Sequence, residues 1–83
     1  MILIITNCEP PRVEDGRTIR YEFELGKKRY SAFSDFNFQE VLKQALLKHP
    51  HEKVELSVLD EKIYSRKFMT SVYCIINLHN HLF

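Results

Sequence analysis

Residues 65–83 read SRKFMTSVYCIINLHNHLF, and this stretch decides the fold because it fits both a strand and a helix. Its threonine, valine and isoleucine residues favour a strand by propensity. At about 100° per residue, however, the apolar side chains fall within one arc and the polar ones lie mostly outside it, which predicts a helix. The apolar arc consists of Tyr64, Phe68, Met69, Val72, Tyr73, Ile75, Ile76, His79, Leu82 and Phe83.

A second helix is predicted by the segment at residues 34–50, SDFNFQEVLKQALLKHP. Its apolar residues follow helical spacing on one face, and Pro50 ends the pattern. We expect Asn37 to cap the start, with Glu40 completing a capping box. Phe36 and Val41 would then form a hydrophobic staple.

Residues 18–33 show the clearest strand pattern, because apolar and charged side chains alternate strictly before the turn. Gly26 and Lys27 fit a two-residue turn of type II′, with glycine at the first central position. This turn would pair Phe23 with Tyr30 and would place both on the apolar face.

The remaining strands are shorter. Residues 1–6 are almost wholly apolar and predict a buried strand, and residues 53–59 alternate again. The sequence allows two interpretations of residues 60–64: a hairpin turn with a short strand, or the first turn of the last helix.

Residues 7–17 contain two prolines, which cannot donate to a strand ladder. A tight hairpin at the Asp15-Gly16 turn signal would pair Ile19 with Arg12, out of phase with the apolar pattern. We therefore predict a mobile loop here. The expected fold is a single α+β domain over residues 1–83, of order β-β-β-α-β-α, with both helices on one face of a four-stranded mixed or antiparallel sheet.

The composition is that of a folded protein, with 45% hydrophobic residues and a formal net charge of +1. No stretch approaches the ~20 apolar residues that span a bilayer. The first residues lack the basic region of a signal peptide, and two cysteines are too few for a disulfide framework. We therefore expect a cytoplasmic protein with reduced thiols.

The four histidines form two His-x-His pairs, His49 with His51 and His79 with His81. On a helix, residues i and i+2 point about 200° apart, so the second pair cannot hold one ion. Neither the spacing nor the cysteines match a common zinc pattern. We predict no metal and no cofactor.

Catalysis by a cysteine requires a base within reach and a positive local field. We expect Cys74 to be an inert, partly buried thiol, and we expect Cys8 to be more exposed but without a nearby histidine in sequence. We therefore predict that the protein is not an enzyme.

The apolar arc of the last helix covers roughly 180°, whereas a helix on one sheet needs a stripe little wider than ~100°. We expect the surplus to bind a protein partner or a second copy of the chain. The protein would then be a small regulator or inhibitor, a kind common among prokaryotic and phage accessory proteins, with residues 9–16 as another candidate surface. The predicted partner-binding residues are Phe68, Val72, Ile76, His79, Leu82 and Phe83.

The alternative function is nucleic-acid binding by the hairpin tip, Gly26–Tyr30. Basic residues beside an aromatic ring suit a phosphate backbone. They also suit a solvated turn in which lysines discourage edge-to-edge pairing. The residues concerned are Lys27, Lys28, Arg29 and Tyr30.

Overall fold

The computed structural model of the chain describes residues 1–81, so Leu82 and Phe83 lie outside the described residues. The predicted α+β fold and its element order are confirmed, and a short 3₁₀ helix occupies Glu61–Ile63 in the segment that the sequence left open. The main elements are β1 (Ile2–Glu14), β2 (Arg17–Leu25), β3 (Lys28–Ala32), α1 (Asp35–Leu47), β4 (Glu55–Val58) and α2 (Arg66–His81). Neither α1 nor α2 is long and apolar enough to cross a membrane.

The four strands form one mixed sheet in the order β3-β2-β1-β4. β1 pairs antiparallel with β2 and parallel with β4, and β2 pairs antiparallel with β3. The predicted pairing of Phe23 with Tyr30 is confirmed. The turn between them has the predicted length but is of type I′ rather than II′, because φ is positive at both Gly26 (58°) and Lys27 (71°).

The prediction of a loop at residues 7–17 is wrong. β1 continues to Glu14, and a two-residue turn leads into β2, so that Arg12 does face Ile19. The apolar pattern tolerates this pairing because the register shifts between Asn7 and Arg12. The guanidinium of Arg12 then donates to Glu14 (2.9 Å) on its own strand and to Ser31 (3.1 Å) on β3, so its charge stays at the surface.

The N-cap of α1 lies three residues before the predicted one. Ser34 is the N-cap, and its Oγ accepts the backbone N–H of Asn37 at 3.1 Å. The side chain of Asn37 in turn accepts the N–H of Phe33 at 3.2 Å, so a serine-asparagine pair takes the place of a capping box. Phe36 is 72% exposed, so the predicted staple with Val41 is not formed. Lys48 caps the other end, shortly before Pro50.

The prediction of a helix in the last segment is confirmed for residues 66–81. Ser65 caps it, with its Oγ accepting the N–H of Phe68 at 3.0 Å. Near the other end, the side-chain amide of Asn80 pairs with the backbone of Val54 as a strand would. Its Oδ1 accepts the Val54 N–H at 2.8 Å, and its Nδ2 donates to the Val54 carbonyl at 2.8 Å.

One hydrophobic core joins the two helices to a single face of the sheet. At its centre three rings from three elements meet: Tyr21 of β2, Phe38 of α1 and Phe68 of α2. The ring centroids of Phe38 and Phe68 are 4.9 Å apart, and Tyr21 stacks on Phe68 at 5.0 Å. The largest fully buried side chains are Leu3, Ile5, Phe23, Leu25, Phe38, Leu42, Val54, Phe68 and Val72.

A hydrogen bond from the Tyr21 hydroxyl to the carboxylate of Asp35 ties β2 to the first residue of α1. Burial of the phenol and this hydrogen bond to a carboxylate together raise the pKa of Tyr21 to about 12. The neutral phenol is therefore the form that the folded chain stabilises.

We predict that Asn80→Ala lowers the free energy of unfolding by about 1–3 kcal/mol, because it leaves the buried N–H and carbonyl of Val54 without partners. The measurement is urea denaturation followed by circular dichroism. Asn77 is exposed on the same helix and is the matched control, and its alanine variant should stay within about 0.5 kcal/mol of the parent. Equal losses of stability in the two variants would contradict this role of Asn80.

We predict that the chain loses stability in alkali as Tyr21 ionises. Its pKa is about 12 in the folded chain and 10.0 ordinarily, so the contribution is complete below pH 10 and is lost as the pH rises towards 12. Ultraviolet titration of the phenols should show a component near pH 12 that Tyr21→Phe removes and Asp35→Asn moves to lower pH. A component that persists in Tyr21→Phe would show that another phenol is responsible.

Candidate functional site

The structure places the predicted partner-binding residues in two different environments. Phe68 (2% exposed), Val72 and Ile76 lie in the core of the chain itself, so they offer no surface to a partner. His79 is partly buried, and its Nε2 donates to the carbonyl of Glu52 at 2.8 Å. The other two predicted residues, Leu82 and Phe83, are outside the described part of the chain.

The wide apolar arc of α2 is covered by the chain itself on more than one side. The sheet and α1 cover Phe68 through Tyr21 and Phe38, and Tyr64 stacks on the same ring at 5.2 Å from the segment before the helix. Because three neighbours share this helix, an arc wider than one sheet requires is consistent with a buried helix. Farther along α2 the arc is less well covered, since Tyr73 is 43% exposed and Ile75 is only partly buried.

An open apolar groove runs between the C-terminal halves of α1 and α2. Leu46 and Leu47 line it from α1, Ile75 and Leu78 line it from α2, and the turn at Pro50 closes one end. The cavity has a volume of about 440 Å³. Leu47 is 70% exposed and Leu78 is 62% exposed, so two large apolar side chains face solvent across the same cavity.

At this end each helix carries an exposed leucine beside its buried stripe. Leu47 follows the last core residue of α1, and Leu78 lies three residues after Ile75 on α2. The sequence shows that Leu47 points away from the core face of α1. It does not show that Leu78 of α2 lines the same groove as Leu47. Two neighbouring helices that each carry an exposed leucine at the same height along the helix axis indicate such a groove.

The rim of the groove carries one fixed positive charge, that of Lys43. Lys43, His51 and His79 line it together with the apolar side chains, and no carboxylate is among the described residues that do so. The same face continues as a shallower depression past Thr70 and Cys74, again without an acidic lining residue. A ligand with apolar side chains flanked by negative charge therefore matches this surface better than a positively charged one.

The four histidines gather near the C-terminal ends of the helices without forming a metal centre. Glu52 lies between two of them: its carboxylate is 3.4 Å from Nδ1 of His49, and its carbonyl binds His79. Among residues 1–81, no three histidine, cysteine, aspartate or glutamate side chains are arranged to hold a metal ion.

The exposure of the two cysteines is the reverse of the prediction. Cys8 is buried, with the Nη1 of Arg12 3.3 Å from its sulfur, whereas Cys74 is exposed on α2. In the described part of the chain, neither sulfur is hydrogen-bonded to a histidine.

The hairpin tip of the alternative prediction is exposed at Lys27, Lys28 and Arg29, and the fold adds Lys48 from the end of α1. The ammonium groups of Lys28 and Lys48 lie 5.4 and 6.0 Å from the centroid of the Tyr30 ring. The pKa of Lys48 is lowered, first by its close side-chain contact with Lys28 and then by repulsion between the two like charges. Sequence reasoning missed Lys48, since nothing local links it to the hairpin.

Comparison with known proteins adds no further assignment to these surfaces. No protein-family model matches the chain, and no curated protein and no solved structure is significantly similar to it.

Proposed function

We propose that the protein is a small binding module, a regulator or inhibitor that acts by contacting another protein rather than by catalysis. The observation that supports the proposal is the groove between α1 and α2, where Leu47 and Leu78 are exposed on opposite walls of one apolar cavity. Contiguous exposed apolar surface of this kind is typical of interaction sites.

The partner that fits the groove is an amphipathic helix with acidic residues beside its apolar stripe. Helix-in-groove recognition inserts apolar side chains at helical spacing into a cavity between neighbouring elements. The groove supplies an apolar floor for those side chains, and Lys43 supplies a positive charge at the rim. Electrostatic complementarity then selects acidic partners over basic ones.

A second copy of the chain fits the same surface less well. A two-fold interface brings the same patch of both copies together, so each copy would meet a surface that carries Lys43 and no lining carboxylate among the described residues. Like charges at an interface disfavour association. We therefore prefer a different protein as the partner over the homodimer that the sequence also allows.

The cytoplasm is the compartment that we propose for this activity. Both cysteines are free thiols, and Cys74 is exposed on the helical layer. Exposed thiols persist in compartments that glutathione and thioredoxin keep reduced.

We predict that a designed amphipathic peptide of about 15 residues, with leucines at helical spacing and glutamates beside them, binds the groove. A peptide with lysines in place of the glutamates should bind at least about tenfold more weakly. Fluorescence polarisation measures both affinities, and amide chemical shifts in NMR spectra locate the contact. The shifts should concentrate at Leu47, Ile75 and Leu78.

Leu78→Asp tests the groove directly, because it removes one buried leucine from the complex and adds a negative charge. The loss of about 1.5–3 kcal/mol corresponds to binding weakened by roughly 10- to 100-fold. Leu59→Asp is the matched control, since Leu59 is 72% exposed and does not line the groove. Equal effects of the two variants, or equal binding of the two peptides, would refute the proposal. Light scattering that shows a dimer dissociated by Leu78→Asp would favour the homodimer instead.

A further inference from the structure

The end of the molecule opposite the long β1-β2 hairpin tip carries a cluster of cations, which we call the basic end. It is separate from the groove lining and consists of Lys27, Lys28 and Arg29 at the β2-β3 turn together with Lys48 at the end of α1. Two segments that are far apart in sequence therefore bring positive charge to one place.

The Tyr30 ring organises the centre of this cluster. One of its faces stacks on the buried ring of Phe23, with centroids 4.8 Å apart and an angle of 12° between the ring planes. The ammonium groups of Lys28 and Lys48, at 5.4 and 6.0 Å from the Tyr30 centroid, therefore share the part of the ring that the core leaves open. Cation–π attraction holds each of them near the ring although they repel each other.

No carboxylate of the described residues forms an ion pair with a cation of this cluster. The ion pairs of residues 1–81 involve Arg12 and His49 instead. Glu40 lines the same depression as Tyr30 and Lys48, and Glu24 is the cross-strand partner of Arg29, so two carboxylates border the cluster. Two ammonium groups held together without a counterion provide a position where an external anion would relieve their repulsion.

We propose that the basic end binds the phosphate backbone of a nucleic acid, with Lys28 and Lys48 sharing one phosphate group beside Tyr30. Lys27 and Arg29 extend the positive surface beyond that pair, which suits a chain of phosphates better than a single anion. Contacts to phosphate carry no sequence information, so the binding is independent of base sequence. A nucleic acid contacts only the basic end, so this function is additional to the peptide groove.

The test is fluorescence anisotropy with a labelled oligonucleotide of about 15 nucleotides, single-stranded in one arm and duplex in the other, between about 50 and 200 mM salt. The parent chain should bind with an affinity that falls steeply with salt. The double variant Lys28→Ala/Lys48→Ala should bind at least tenfold more weakly at the lower salt concentration. Its salt slope should be smaller by about 0.7 to 0.9 for each phosphate that the variant no longer neutralises.

The matched control removes the same charge elsewhere. Lys62 in the 3₁₀ helix and Arg66 at the start of α2 are both exposed and lie outside the basic end, so Lys62→Ala/Arg66→Ala should retain binding within about twofold. Circular dichroism confirms that both double variants are folded.

Three results would overturn the proposal. One is an equal reduction of affinity in the two double variants, which would indicate attraction by net charge alone. Another is competition by inorganic phosphate at the same phosphate concentration as the oligonucleotide, which would indicate a site for one small anion. The third is binding to phosphatidylglycerol vesicles, dependent on Lys28 and Lys48, in the absence of any binding to the oligonucleotides.

Discussion

The rings of Tyr21, Phe38 and Phe68 meet at the point where the sheet and both helices touch, and the arrangement of the helical layer depends on this contact. Because only one face of the sheet is apolar, both helices must pack on it side by side. The three rings hold the helices together at their N-terminal halves. At the other end, smaller aliphatic side chains line the space between the helices, and a groove of about 440 Å³ remains open to solvent.

Local patterns were sufficient to predict most of the fold. Alternation and a two-residue turn specify the β2-β3 hairpin, because both signals lie within a few residues of each other. The turn type was not decided in the same way, since glycine at the first central position suits type II′ and type I′ alike, and only the positive φ of Lys27 distinguishes them. The cap of α1 was misplaced because Ser34 and Asn37 are both good N-cap residues and lie three positions apart.

Features that depend on distant residues were not predictable from local patterns. The extension of β1 requires a register shift and a surface position for Arg12, and its partner Ser31 lies on another strand. The sequence shows a wide apolar arc on α2, and we interpreted its surplus width as a surface that binds a partner. Part of the arc belongs to the core, because α1, the sheet and Tyr64 all cover Phe68, and part of it lines the groove through Ile75 and His79. A helical projection does not show how many neighbours a helix has.

The net charge of +1 conceals how the charge is distributed. β2 has nine residues and separates the turn at Asp15 from the turn at Lys27. At ~3.3 Å per residue, the two turns are roughly 30 Å apart. Screening at physiological salt acts over about 8 Å, so acidic residues at the first turn do not cancel the field around Lys28 and Lys48. A chain that is 36 Å long can therefore present a strongly basic end although its total charge is close to zero, and composition alone does not exclude an anionic partner.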